Sequence, residues 1–248
     1  MRLFRQMETA GASLFRWRSY LLLSFVPFIF LTMLNGEVIE HQVGEFWGDL
    51  YEIAAICVVI AGQVLRIFTV AYVPRGTSGR NTHDQIAEVL NTTGLYSVVR
   101  NPLYLANCLM YLGVVLFTQN LVIALILVLV LLPYYERIIA AEERFLAAKF
   151  GAAYDNWAEQ TPAFLPRLNG WVPPSMTFSW QSVIRREQTS IFAAVLALYL
   201  IEFCFHTFGG EIEPFSAEWN WVLGIAVALK LAAHFAKYHP NWLRAEGR

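Results

Sequence analysis

Thr93-Gly94-Leu95-Tyr96-Ser97-Val98-Val99-Arg100-Asn101-Pro102-Leu103-Tyr104 stands on one side of a run, 103–132, that holds no Asp, Glu, Lys or Arg. Glu142-Glu143-Arg144-Phe145-Leu146-Ala147-Ala148-Lys149-Phe150-Gly151-Ala152-Ala153-Tyr154 stands on the other, followed by Trp157 and by Thr161-Pro162-Ala163-Phe164-Leu165-Pro166. The apolar run is broken only at Thr118-Gln119-Asn120. Two helices joined there must turn back at once, which carries both polar pieces to the same side of a membrane.

Composition agrees. Of the 248 residues, 57% are hydrophobic and 15% charged, and the mean hydropathy is +0.46; soluble domains carry more charge and less apolar surface. The expected class is all-α: a polytopic integral membrane protein of about six transmembrane helices, with spans near 19–34, 51–72, 103–117, 121–135, 189–208 and 219–236. Arg2, Arg5, Arg16 and Arg18 precede the first span, and the next loop carries Glu37, Glu40, Glu45 and Asp49 without a Lys or Arg. The positive-inside rule then puts both termini in the cytoplasm, together with Arg75, Arg80, Arg100, Arg137, Arg144 and Lys149. A bacterial inner membrane is the expected location. The net charge of −1 gives no basic surface for nucleic acid. Cys57, Cys108 and Cys204 lie in apolar runs without ligand spacing, and the five His residues are scattered, so no metal site is expected.

Some positions have a plain structural explanation beside a functional one. Gln63 and Arg66 fall within the second span, where the simplest account is that Arg66 snorkels to the rim. Asn101-Pro102 suits a helix start, and such a start also offers N–H groups to an anion. Phe150-Gly151 suits a helix end with glycine in the left-handed position. The loop Pro74-Arg75-Gly76-Thr77-Ser78-Gly79-Arg80 has the guanidinium groups, hydroxyls and glycines of a phosphate-binding loop, but topology alone also produces a basic juxtamembrane segment.

The order Gly94-x-Tyr96-x-x-x-Arg100-Asn101-Pro102-x-Tyr104, a membrane hairpin, Glu142-Glu143-x-x-Leu146-x-x-x-Phe150-Gly151-x-x-Tyr154 and then Pro162-x-x-x-Pro166 resembles the isoprenylcysteine carboxyl methyltransferase and phospholipid methyltransferase superfamily. The resemblance covers roughly 81–166. It implies S-adenosylmethionine as methyl donor at the cytoplasmic rim and a lipid-like acceptor arriving from the bilayer. Matched by position, it implies a cofactor pocket built from Tyr96, Asn101, Pro102, Leu103, Tyr104, Glu142 and Tyr154, with Glu88-Val89-Leu90 on the adenosine side. It further implies catalytic roles for Arg100 and Arg137. Two departures stand out. Asn101 occupies a position usually held by His, and Ile138 occupies that of the substrate-side Arg, leaving Arg137 about 100° away round a helix.

The organisation expected is N-terminal spans and basic loop over 1–80, a methyltransferase-like core over 81–166 and an unassigned pair of spans over 167–248. The function expected is methylation of a lipid-like acceptor: an anionic or phosphate headgroup bound by Arg75 and Arg80, a phospholipid amine, or a prenylcysteine carboxylate. An NADPH-dependent sterol-type membrane reductase and a non-catalytic membrane scaffold are the alternatives. If the topology holds, Asn101→Cys and Tyr154→Cys resist an impermeant thiol reagent applied from outside the cell and react after permeabilisation. Ready labelling from outside overturns it.

Overall fold

A computed structural model describes residues 10–11, 13–15, 24–33, 38–74, 87–208, 215–239 and 242–243, and among these the regular structure is helical throughout. In chain order the helices are α1 (Val26–Met33), α2 (Val38–Val43), α3 (Glu45–Ala71), α4 (Pro102–Leu116), α5 (Leu121–Phe150), α6 (Ala152–Gln160), α7 (Trp180–Phe208) and α8 (Ala217–Tyr238). Single 3-10 turns occur at Gly94–Ser97 and Leu168–Gly170. Four helices, α3, α5, α7 and α8, are long and apolar enough to cross a membrane. The fifth apolar helix, α4, has 15 residues and so measures about 22 Å, short of the roughly 30 Å hydrocarbon layer. The first expected span lies only partly within the described residues, where α1 covers 8 of them.

Helix α5 differs most from its expected span. It runs unbroken for 30 residues, about 45 Å, straight through Pro133 to the Glu142-Glu143 pair. Hydropathy marks only its lipid-immersed part. The charged stretch beyond 135 is rich in helix-forming residues and continues the same rod. Its ends follow local rules: the Asn120 side chain accepts a hydrogen bond from Ile123 N–H at 3.1 Å, and Gly151 closes it at φ 54°, a backbone that favours glycine. The turn between α4 and α5 is held by Gln119, itself at φ 55°. Gln119 Oε1 accepts from the Ile39 and Glu40 N–H groups at 2.9 and 3.0 Å, and its amide donates to Glu52 at 3.0 Å.

Helices α3 and α4 touch through small residues. A Cβ on Gly113 would lie 2.7 Å from Val59 N and 2.9 Å from Ala55 O, and one on Gly62 would lie 2.8 Å from Ala106 O. Backbone thus meets backbone, the close approach that glycine allows between helices in lipid. Ala55, Val59 and Phe117 pack with Leu198, Ile201 and Phe205 of α7 into one core cluster. Leu127, Leu131, Tyr134, Tyr135 and Ile138 of α5 form the other with Val115.

Gly113→Ala is therefore expected to lower thermal stability in detergent, at a cost of roughly 1–3 kcal/mol for overpacking. The control is Gly224→Ala on α8, where nothing lies within 4 Å of the new Cβ; it should be neutral or gain up to about 1 kcal/mol of helix propensity. Equal melting shifts in the two variants rule out the close α3–α4 contact.

Candidate active site

The two polar pieces of the sequence meet at the end of the bundle where α3 stops and α4 and α7 begin. Arg100 N–H donates to Pro162 O at 2.9 Å, Arg167 N–H to Val98 O at 2.9 Å and Gly94 N–H to Val172 O at 2.9 Å. Trp157 Nε1 donates to Tyr96 O at 3.0 Å, and Ser97 Oγ donates to Gly94 O while accepting from Val172 N–H. The Arg100 side chain donates to Ala158 O at 2.7 Å and lies 2.9 Å from Glu143 in an ion pair. Segment 152–172 is thus a strap laid across the start of α4. Asn101 belongs to the same seam: its side chain donates to Ala163 O at 3.0 Å and makes no cap. The first N–H groups of α4, behind Pro102, accordingly have no side-chain cap.

Under the strap lies a cavity of about 620 Å³. Val89, Leu90, Tyr96, Arg100, Asn101, Pro102, Leu103, Tyr104 and Glu142 all line it. Glu142 is 8% exposed and accepts a hydrogen bond from the Tyr104 hydroxyl at 2.8 Å, so a buried carboxylate faces a largely apolar and aromatic wall. Burial, and then the nearby Glu142 carboxylate, pushes the Tyr96 hydroxyl well above its usual pKa, with Arg186 opposing. Tyr96 is therefore a neutral donor at any physiological pH.

Not every expected residue faces the cavity. Glu88 is exposed and outside the lining. Tyr154 is buried beside it, its ring 5.6 Å from that of Trp157; burial, and then Glu143, raises its hydroxyl pKa. Arg137 does not line the cavity, and its guanidinium donates to Pro133 O at 2.7 Å, one turn back on its own helix. Arg75 and Arg80 lie outside the described residues.

The cavity also has walls that sequence reading left unassigned. Arg66 of α3, Asn107, Met110 and Val114 of α4, and Arg186, Thr189, Ser190, Ala193, Ala194 and Ala197 of α7 all line it. Arg66 does not snorkel. Its Nε donates to Glu187 Oε2 at 2.7 Å and Nη2 to Glu187 Oε1 at 3.1 Å, while Nη1 donates to Asn107 Oδ1. Gln63 donates to Glu187 at 3.2 Å and accepts from the Ser190 hydroxyl at 3.0 Å. The available signal was the occurrence of two charges, Arg66 and Glu187, in separate apolar helices; ionisable groups in lipid usually pair. Among the described residues, no group of three or more His, Cys, Asp or Glu side chains is placed to hold a metal ion.

Arg100→Gln should detach the strap. Losing a charge-assisted bond costs roughly 1.5–3 kcal/mol, so amide hydrogen exchange over 154–163 should speed up by about 10- to 100-fold through local opening, with α5 and α7 unchanged. Unaltered exchange in the strap would show that Arg100 does not hold it.

The phospholipid methyltransferase family matches residues 50–153, from the first turns of α3 into α6. The chain is 29% identical over 205 residues to a nickel-cobalt-cadmium resistance protein of Alcaligenes xylosoxydans xylosoxydans, covering 79% of this chain and 78% of that protein. It is 36% identical over 144 residues to a cobalt-zinc-cadmium resistance protein of Cupriavidus metallidurans, covering 58% and 61%. Over 130 residues it is 29% identical to a protein-S-isoprenylcysteine O-methyltransferase of Schizosaccharomyces pombe, covering 50% and 53%. No solved structure matches. The matched segment includes the cavity-lining residues of α3, α4 and α5, and over it this apolar helical chain is similar to the phospholipid methyltransferase family.

Proposed function

We propose that this protein is a membrane methyltransferase that takes a methyl group from S-adenosylmethionine and delivers it to a lipid-like acceptor. The observation that carries the reading is one continuous cavity joining two unlike environments. At the strap it offers a buried carboxylate, aromatic rings and a helix start. Farther in it offers Met110, Val114 and the alanines of α7. Between Pro102 and Val114 the lining descends 12 residues of α4, about 18 Å, enough to reach from the headgroup region into the hydrocarbon.

The donor set fits the cofactor. Glu142 suits the positive end of S-adenosylmethionine, the uncapped N–H groups at the start of α4 suit its carboxylate, and Tyr96, Trp157, Val89 and Leu90 suit a flat heteroaromatic ring. Bound there, the cofactor supplies an activated methyl group. The chain's own work is to orient the two partners and exclude water, which can account for several kcal/mol of a displacement barrier. Arg100 is already committed to Ala158 O and Glu143, so its contribution is to hold the strap closed over the site. In this reading the site opens to the cytoplasm, where a soluble charged cofactor is available. The names of the two bacterial relatives describe a resistance and leave the reaction open; for this chain, metal resistance would follow from altered membrane lipid.

Two measurements test the reading. Calorimetry on purified protein should detect S-adenosylhomocysteine and no NADPH; the reverse result favours a sterol-type reductase, and binding of neither favours a scaffold. Glu142→Gln should weaken S-adenosylhomocysteine by roughly 1.5–3 kcal/mol, whereas Glu143→Gln, which faces Arg100, should weaken it less. Equal losses in both variants would remove Glu142 from the pocket.

A further inference from the structure

We propose that Arg66, on α3, binds the acidic oxygens of the methyl acceptor, a role that α5 does not fill in this chain. The inference deepens the function proposed above and rests on it in taking the amphiphile held in the cavity to be the acceptor.

The cavity falls into tiers along the bundle. The upper tier is the strap with Glu142 and Tyr104. One turn deeper on α4 lies Asn107, level with Arg66 and Glu187. Arg66 is five residues from the end of α3 and Glu187 seven from the start of α7, distances of about 8 and 10 Å along their helices. Below this tier Met110, Val114, Ala194 and Ala197 line the wall. An amphiphile entering from the bilayer with its tail between α4 and α7 would place its headgroup at the Arg66 tier, directly beneath the upper one.

Geometry turns Arg66 toward that headgroup. Glu187 is sealed, its side chain 2% exposed, whereas the Arg66 side chain keeps 19% of its surface accessible and lines the cavity. A guanidinium has five N–H donors. Glu187 and Asn107 take three of them, and the others have no partner among the described residues. Those N–H groups, on the two terminal nitrogens, are charge-assisted donors of the kind that suit a carboxylate or phosphate. Arg186 lines the same cavity, and Lys230 of α8 donates to Thr189, another lining residue, at 2.7 Å. Basic groups of two helices, Arg66 of α3 and Arg186 of α7, thus line the cavity, with Lys230 outside it. Arg137 turns back onto Pro133.

The pair with Glu187 could instead be a structural clasp alone, and the experiment separates the two roles. Binding of N-acetyl-S-farnesylcysteine is compared with that of its methyl ester, and binding of dioleoylphosphatidic acid with that of dioleoylglycerol, all in detergent. The first pair reports a carboxylate and the second a phosphate. Wild type should prefer the acid of at least one pair by roughly 10- to 100-fold, the worth of a charge-assisted fork. Arg66→Gln combined with Glu187→Gln removes both charges together, leaves no unpaired ion in the bundle, and should abolish the preference. Glu187→Gln alone loosens the clasp but keeps the guanidinium, and should retain the preference. Absence of an acid preference in wild type, its survival in the double variant, or its equal loss in both variants overturns the proposal. S-adenosylhomocysteine binding is measured on the same samples: an acid preference without cofactor binding sinks the methyltransferase reading and leaves the Arg66 site standing, whereas cofactor binding without an acid preference does the reverse.

Discussion

A carboxylate in lipid must be neutralised, and Glu187 is the place where this chain meets that constraint. It is 1% exposed, within a helix whose length and hydropathy suit a membrane. Removing an ion from water costs several kcal/mol unless a partner and further hydrogen bonds offset the loss. Arg66 engages both carboxylate oxygens, Gln63 adds a third bond, and Asn107 steadies the guanidinium from the far side. These contacts come from α3, α4 and α7. A bidentate pair with fixed neighbours tolerates little sliding, so the register of three helices is set at one tier.

The glycine contact between α3 and α4 works with that clasp. Helices in lipid have little hydrophobic drive toward one another and adhere through close van der Waals fit and polar contacts. Gly62 and Gly113 bring the two backbones together on one face of α3, and the opposite requirement, space, is met where α7 presents alanines to α4. A tight seam and an open one on either side of α4 leave a cavity between otherwise close-packed helices. The strap closes it above through backbone bonds, a fixed lid edge in the geometry described here.

The likeness to other proteins is uneven along the chain. The matched segment, 50–153, ends within α6, before α7 begins. The family match therefore leaves out the α7 wall of the cavity, whereas the match to the nickel-cobalt-cadmium resistance protein, over 79% of the chain, extends into α7. Asn101 lines the cavity and tethers Ala163, whereas Ile138 is fully buried in the α5 core, where a cation would have no access to the cavity.

Hydropathy and charge asymmetry in the sequence by themselves determined that this is a helical membrane protein with a hairpin turning at Thr118-Gln119-Asn120, because bilayer burial requires apolar length and caps follow local backbone chemistry. The family resemblance, not the spacing alone, pointed to Tyr96, Asn101, Pro102, Tyr104 and Glu142, and in the structure these five line one cavity. Tertiary structure alone decided the partner of Arg66 and the place of α7 in the cavity wall. Both depend on contacts between distant parts of the chain, Arg66 and Glu187 being 121 positions apart, and no local propensity encodes which of several buried polar residues will meet. The turning back of Arg137 is local by contrast, since Pro133 O lies one turn back on the same helix and accepts the guanidinium there. One-dimensional patterns record how far each segment can enter the membrane; only packing settles which faces meet once it is there.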